Sequence, residues 1–104
     1  MTYCIILSTT NSIEEANALT DILLENKAAA CVQTLPISSA YHWKGKIERS
    51  PEILMLIKTT DNQYPRVQEL IRANHSYEVP EIIKFSITDG LPEYLNWILQ
   101  CTKS

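Results

Sequence analysis

The sequence predicts an α+β domain: one antiparallel sheet in the order βαββαβ, two helices on one of its faces, and a short helix added at the C-terminus. Three observations carry that expectation. Four β-prone runs are interrupted twice by segments of helical periodicity, and each helical segment lies between two strands. The two middle runs follow one another with no helix between them, so they read as a hairpin. The chain has 104 residues and 45% hydrophobic content, enough for one core and too little for two ordinary domains, so residues 1–104 read as a single domain.

Each element has its own local reason. Tyr3–Thr10, YCIILSTT, is apolar and β-branched and reads as the first strand. Asn11 or Ser12 can cap the helix that follows, with Glu14 or Glu15 three residues on. Within it Ile13, Ala16, Leu19, Thr20 and Leu23 recur at three- and four-residue steps as the buried face, while Glu14, Glu15, Asp21 and Glu25 point to water. The helix is expected to stop near Asn26 to Ala28. AACVQTLPISSAYHW (29–43) reads as a long extended segment, KGKIERSP (44–51) as a turn, and EILMLIKTT (52–60) as a strongly apolar strand. DNQYPRVQELIRAN (61–74) puts Val67, Leu70 and Ile71 on one face with Pro65 in the first turn, and reads as a helix ended by Asn74 in a left-handed cap. Pro80 holds Val79 extended, and EIIKFSITD (81–89) alternates as the last strand. LPEYLNWILQC (91–101), with Leu91, Tyr94 or Leu95, Ile98 and Cys101 on one face, is the short final helix.

This order is the ferredoxin-like pattern, in which the first and third strands are central and the second and fourth are edges. The second strand is long and interrupted only at Pro36, so as a free edge it would invite pairing with other chains. Another copy of the chain is the simplest cover, and closed symmetric rings are the usual outcome. An oligomer is therefore expected.

Charge and composition exclude several classes of function. A net charge of -3 with scattered lysines and arginines leaves no basic footprint for nucleic acid. No apolar run approaches the roughly 20 residues of a membrane span, and no basic, apolar leader precedes the first strand. Cys4, Cys31 and Cys101 are widely spaced and odd in number, which fits reduced thiols in a cytoplasm better than a disulfide framework.

Four segments in this order and spacing, KAAACV (27–32), AYHWKGKIE (40–48), EILMLIKTT (52–60) and HSYEVPEII (75–83), resemble the CutA family of divalent-cation tolerance proteins over nearly the whole chain. The resemblance implies a compact subunit in a very stable homotrimer, similar in architecture to PII signalling proteins. It implies roles in tolerance of copper and other divalent metals, and it brings no established catalytic activity. It also implies where a metal is to be sought. Some family members carry a cysteine at the position of Ser8 and a histidine pair at Asn74 and His75, groups proposed as copper ligands, and of the three only His75 is kept here.

His75 reads either as an ordinary turn or cap residue or as a ligand for a weakly bound divalent ion such as copper, with no cofactor required. With Asn74 ending the helix and Pro80 enforcing extension, the corner is expected to keep its shape without the imidazole. His42 alternates to the face opposite Tyr41 and Trp43 and reads as solvated, while Cys4 and Cys31 read as small hydrophobes. A second constellation comprises Trp43 and Lys44 at the turn, Glu52 and Lys58 on the next strand, and Tyr77, Glu78 and Glu81 in the corner. These residue types suit a small polar ligand: an aromatic platform, a cation for a small anionic ligand such as a carboxylate or phosphate, and carboxylates for a metal ion or an amine. The same residues read equally as a subunit interface, with Trp43 and Tyr77 as anchors and Glu52 with Lys58 as an ion pair. Catalysis finds no support: the STTNS loop after the first strand lacks both arginine and glycine, and no nucleophile, base and acid set is visible.

Overall fold

The computed structural model describes residues 2–103. Strands β1 (Tyr3–Thr10), β2 (Cys31–Trp43), β3 (Lys46–Thr60) and β4 (Ile82–Ile87) form one sheet in the order β2-β3-β1-β4, every neighbouring pair antiparallel. Helices α1 (Ile13–Glu25) and α2 (Tyr64–Asn74) complete the ferredoxin-like pattern, and α3 (Pro92–Cys101) is the added helix. Strand alternation sorts the side chains. Cys4, Ile6 and Ser8 of β1 and Met55, Ile57 and Thr59 of β3 are fully buried on one face, where they meet Ala16, Leu19 and Leu23 of α1 and Val67 and Ile71 of α2. Lys58 lies on the other face by the same alternation and donates to Tyr94 Oη of α3 at 3.3 Å, so α3 packs on the side opposite the two main helices.

The helix ends show why these residues form these elements. Ser12 caps α1, its hydroxyl accepting from the Glu15 amide at 3.2 Å. At the other end Lys27 takes a left-handed conformation (φ 55°), which lets its amide reach Leu24 O and the Ala28 amide reach Leu23 O, both at 3.0 Å. Buried Ala28 is then tied to β3, its carbonyl accepting from Thr59 Oγ1 at 2.6 Å. A three-residue 3-10 turn at Asp61–Gln63 precedes α2, so that helix starts at Tyr64 rather than at Asp61.

Several expectations are corrected. Asn74 is not a left-handed cap: it is the last residue of α2, and its side-chain amide donates to Leu70 O at 2.8 Å, satisfying an end carbonyl without a positive φ. Strand β4 is shorter than expected, running from Ile82 to Ile87. Leu91, placed on the apolar face of the final helix, is its N-cap and is largely exposed. The turn expected over residues 44–51 is only Lys44–Gly45, with φ of 49° and 77°, the primed geometry that suits the twist of a two-residue hairpin. Residues 46–51 are strand instead, and Pro51 is accommodated opposite Ser38.

That correction changes the shape of the molecule. Pairing of β1 with β3 ends at Thr10–Ile53, while β2 and β3 continue together from Ile37–Glu52 to Trp43–Lys46. The hairpin therefore leaves the sheet as a two-stranded arm about 23 Å long at 3.3 Å per residue, which makes the molecule 45 Å in its longest dimension against 25 and 21 Å in the others.

Lys27 holds a conformation that glycine adopts without a Cβ penalty. Lys27→Gly is expected to raise stability by about 1 kcal/mol, read as a higher denaturation midpoint at unchanged m-value. A lowered midpoint would show that the lysine side chain matters more than the backbone strain.

Candidate functional site

The segment His75–Ser76–Tyr77 is fastened to three different elements. The His75 ring lies between two backbone groups: Nε2 is 2.7 Å from Thr9 O on β1, and Nδ1 accepts from the Tyr77 amide at 3.0 Å. An amide can only donate, so Nδ1 is the unprotonated nitrogen and Nε2 carries the proton given to Thr9. Ser76 donates to Glu15 of α1 twice, from its amide to Oε2 at 2.7 Å and from its hydroxyl to Oε1 at 3.1 Å. Tyr77 then donates from its phenol to Glu52 Oε2 on β3 at 2.7 Å. Its ring packs against His75 with centroids 4.8 Å apart.

The register explains why a side chain is needed here. Pairing of β1 with β4 stops at Ser8–Ile82, and one step further Thr9 would face Glu81. The chain has already turned away at Pro80 and Glu81, so the Thr9 carbonyl takes the imidazole N–H instead of a strand amide. The expectation that the corner keeps its shape without the imidazole is therefore corrected. So is the placing of Glu15 in water, because its carboxylate holds Ser76.

Tyr77 closes one side of a cleft of about 700 Å³ on the sheet face opposite α1 and α2. Strand alternation presents Thr9, Ser39, Tyr41, Trp43 and Glu52 on that face, and the corner brings Tyr77, Glu78, Val79 and Glu81 over it. Thus Trp43, Glu52, Tyr77, Glu78 and Glu81 are brought together. Lys44 and Lys58 are not among the cleft's walls. Lys44 Nζ sits 5.5 Å over the Trp43 ring at the hairpin tip, and Lys58 is engaged with Tyr94, 5.4 Å over its ring. Glu52 and Lys58 share a face but stand six residues apart, about 20 Å along a strand, so the expected ion pair is not formed. His42 is exposed on the arm.

The titrating groups follow this geometry. Burial, then the hydrogen bond to Glu52 and its charge, push the Tyr77 phenol upward, so it stays a neutral donor. Burial, then Asp61, push the Cys4 thiol up to about 12, which leaves it an inert core residue. All three cysteines are free. Among the described residues no group of three or more His, Cys, Asp or Glu side chains is placed to hold a metal ion. Ser8 is fully buried, and its hydroxyl has no hydrogen-bond partner among the described residues.

Residues 4–101 match the family described as CutA1 divalent ion tolerance protein. The chain belongs to the CutA1 family. It is 38% identical over 99 residues to the divalent-cation tolerance protein CutA of Thermus thermophilus, covering 94% of this chain and 96% of that one. It is 43% identical over 90 residues to protein CutA of Mus musculus, covering 86% of this chain and 51% of the mouse protein, so it spans about half the length of that relative. Among solved structures, that of CutA from Archaeoglobus fulgidus, described as a periplasmic divalent cation tolerance protein, superposes with a TM-score of 0.96 at 40% identity over 97% of this chain and 99% of that one. CutA1 from Oryza sativa gives a TM-score of 0.96 at 34% identity, over 99% and 95% of the two chains. Membership of the CutA1 family supports a general role in divalent-cation tolerance.

Sequence reasoning missed Thr9, Glu15, Tyr41 and Ser76. Glu15 gave a signal that pointed elsewhere: it stands at the third helical position, where a capping box would turn its carboxylate back on the Ser12 amide.

Tyr77→Phe removes the donor to Glu52 and is expected to cost about 1–2 kcal/mol in a denaturant titration. The pH dependence has a definite sign. The folded chain holds the phenolic proton above the ordinary value of 10.0, so this contribution is complete below that pH and is lost as pH rises through the raised value. The wild type should lose stability above about pH 10 more steeply than Tyr77→Phe; parallel curves would show that the hydrogen bond is not made.

Proposed function

We propose that the protein works as a non-catalytic cytoplasmic homotrimer in divalent-cation tolerance, requiring no cofactor and touching copper only weakly, through His75. The observation that carries this reading is the arm. A two-stranded hairpin is marginal alone, yet this one extends beyond the third strand and leaves Tyr41, Trp43 and Ile47 exposed, the last by 68%. Neighbouring copies that receive the arm and pair with the free edges of β2 and β4 bury those side chains and close the assembly. The three free cysteines support a reducing compartment.

A second reading is favoured by the cleft: a PII-like trimer that binds a small polar ligand where subunits meet. The cleft runs along the same arm, with Glu52, Tyr41 and Trp43 among its walls, so a neighbour that receives the arm also meets the cleft. Both readings share the assembly. Copper enters at a disadvantage, because an ion ligated by His75 must displace either the Thr9 or the Tyr77 hydrogen bond.

Light scattering is expected to give three times the chain mass across the accessible concentration range; a one-chain mass would remove the trimer from this account. Calorimetric titration with copper should show weak binding that declines as pH falls, since protons compete with the ion for an imidazole nitrogen. His75→Ala should abolish most of that heat and also lower the unfolding temperature, because the corner loses its tie to β1. Unchanged copper heat in His75→Ala would place the ion elsewhere.

A further inference from the structure

We propose that Asp89–Gly90 is a site of spontaneous backbone isomerisation, where the aspartate side chain closes onto the Gly90 amide as a succinimide and reopens as a β-linked residue. The pair stands in the irregular connection between β4, which ends at Ile87, and α3, which starts at Pro92. There the Gly90 amide donates to Asp89 Oδ1 at 2.9 Å, so the carboxyl is already folded over the nitrogen that must attack it. The reaction is internal to two adjacent residues and takes only water, so it does not depend on what covers the sheet.

Local geometry favours closure. Groups held in contact react far faster than the same groups free in solution, and the ring they close consists of Gly90 N with C, Cα, Cβ and Cγ of Asp89. Gly90 carries no side chain to hinder the approach of its nitrogen. Among the described residues its amide gives its hydrogen bond to this side chain rather than to a strand or helix carbonyl, so closure breaks no backbone ladder. The other two aspartates are placed differently. Asp21 precedes the β-branched Ile22 in the middle of α1, and Asp61 lies in the 3-10 turn with its carboxylate 3.6 Å from Lys84 Nζ.

The step balances without an oxidant or reductant. The N–Cγ bond forms, a C–O bond of the carboxyl in its acid form breaks, and the amide proton leaves with the departing hydroxyl as water. Water then adds back to the ring. Addition at Cγ restores aspartate, whereas addition at the main-chain carbonyl leaves the chain running through Cβ and Cγ with the carboxylate on Cα. The main chain is then one methylene longer just before Leu91, the N-cap of α3, whose carbonyl accepts from the Leu95 amide at 3.0 Å. Gly90 also sits close under that helix, since a Cβ there would stand 3.3 Å from Leu95 Cδ2. The seating of α3 is what the modification alters.

The test ages the intact protein at physiological temperature in mildly acidic buffer. The β-linked residue is counted by labelled-methyl transfer from an isoaspartate methyltransferase and located by electron-transfer fragmentation of tryptic peptide 85–103. It is expected to accumulate at position 89 and not at 21 or 61. Asp89→Glu, whose ring would be one atom larger, should abolish the signal, and Asp89→Asn, which sheds ammonia instead of water, should speed it severalfold. An unmodified position 89, under conditions that isomerise free peptide 85–103, overturns the proposal by showing that the fold holds the bond rigid. A signal that persists in Asp89→Glu, or an Asp89→Asn rate no faster than wild type, overturns it too.

Discussion

The imidazole of His75 is the interaction on which the site depends. It joins the end of the central strand to the segment that leads from α2 to β4, accepting from the Tyr77 amide with one nitrogen and donating to the Thr9 carbonyl with the other. No other neutral side chain offers a donor and an acceptor in one rigid ring at this spacing. Once the ring is seated, Ser76 meets Glu15 on α1 and Tyr77 reaches Glu52 on β3, so three consecutive residues hold three elements in register. The cost of ordering this irregular segment is offset by hydrogen bonds that leave none of its key polar groups without a partner.

The same clasp gives the cleft its form and bears on its chemistry. Tyr77 is held over the outer face of the sheet, where Trp43, Tyr41 and Glu52 arrive by strand alternation, and Glu78 and Glu81 follow it in the chain. A histidine committed in this way to two backbone groups is a poor free ligand, which accounts for why family resemblance and local geometry pull in different directions at this residue. The general role in divalent-cation tolerance stands with the family. The chemistry that the cleft itself displays is that of carboxylates and aromatic rings.

Much of the fold was legible because it rests on periodic patterns. Ala16, Leu19 and Leu23 recur at helical spacing and are buried, although Ile13, read onto the same face, is 44% exposed; Cys4, Ile6 and Ser8 alternate inward, and the apolar run from Glu52 to Thr60 marked a central strand. The errors fall where local composition misleads. KGKIERSP looks like a loop because it is polar and ends in proline, yet residues 46–51 pair one for one with Ser38 to Trp43, and the segment carries no alternation of hydrophobicity to mark it as strand. Asn74 looks like a left-handed cap, but its amide could satisfy Leu70 O from within the helix. The left-handed positions fell to Lys27 and Lys44, residues that carry no such signal.

The site was half legible. Trp43, Glu52, Tyr77, Glu78 and Glu81 were grouped from residue type, and the fold does gather them, but Lys44 and Lys58 are turned to other partners. Thr9 and Glu15 were invisible as site residues because their contribution depends on contacts 66 and 61 positions away in the chain. The central claim is the clasp, and the most direct measurement of it is nitrogen NMR of the His75 ring at a pH well above the imidazole range. The account predicts a single tautomer with Nε2 protonated and Nδ1 bare and coupled to the Tyr77 amide. A protonated Nδ1, or rapid exchange between tautomers, would contradict it.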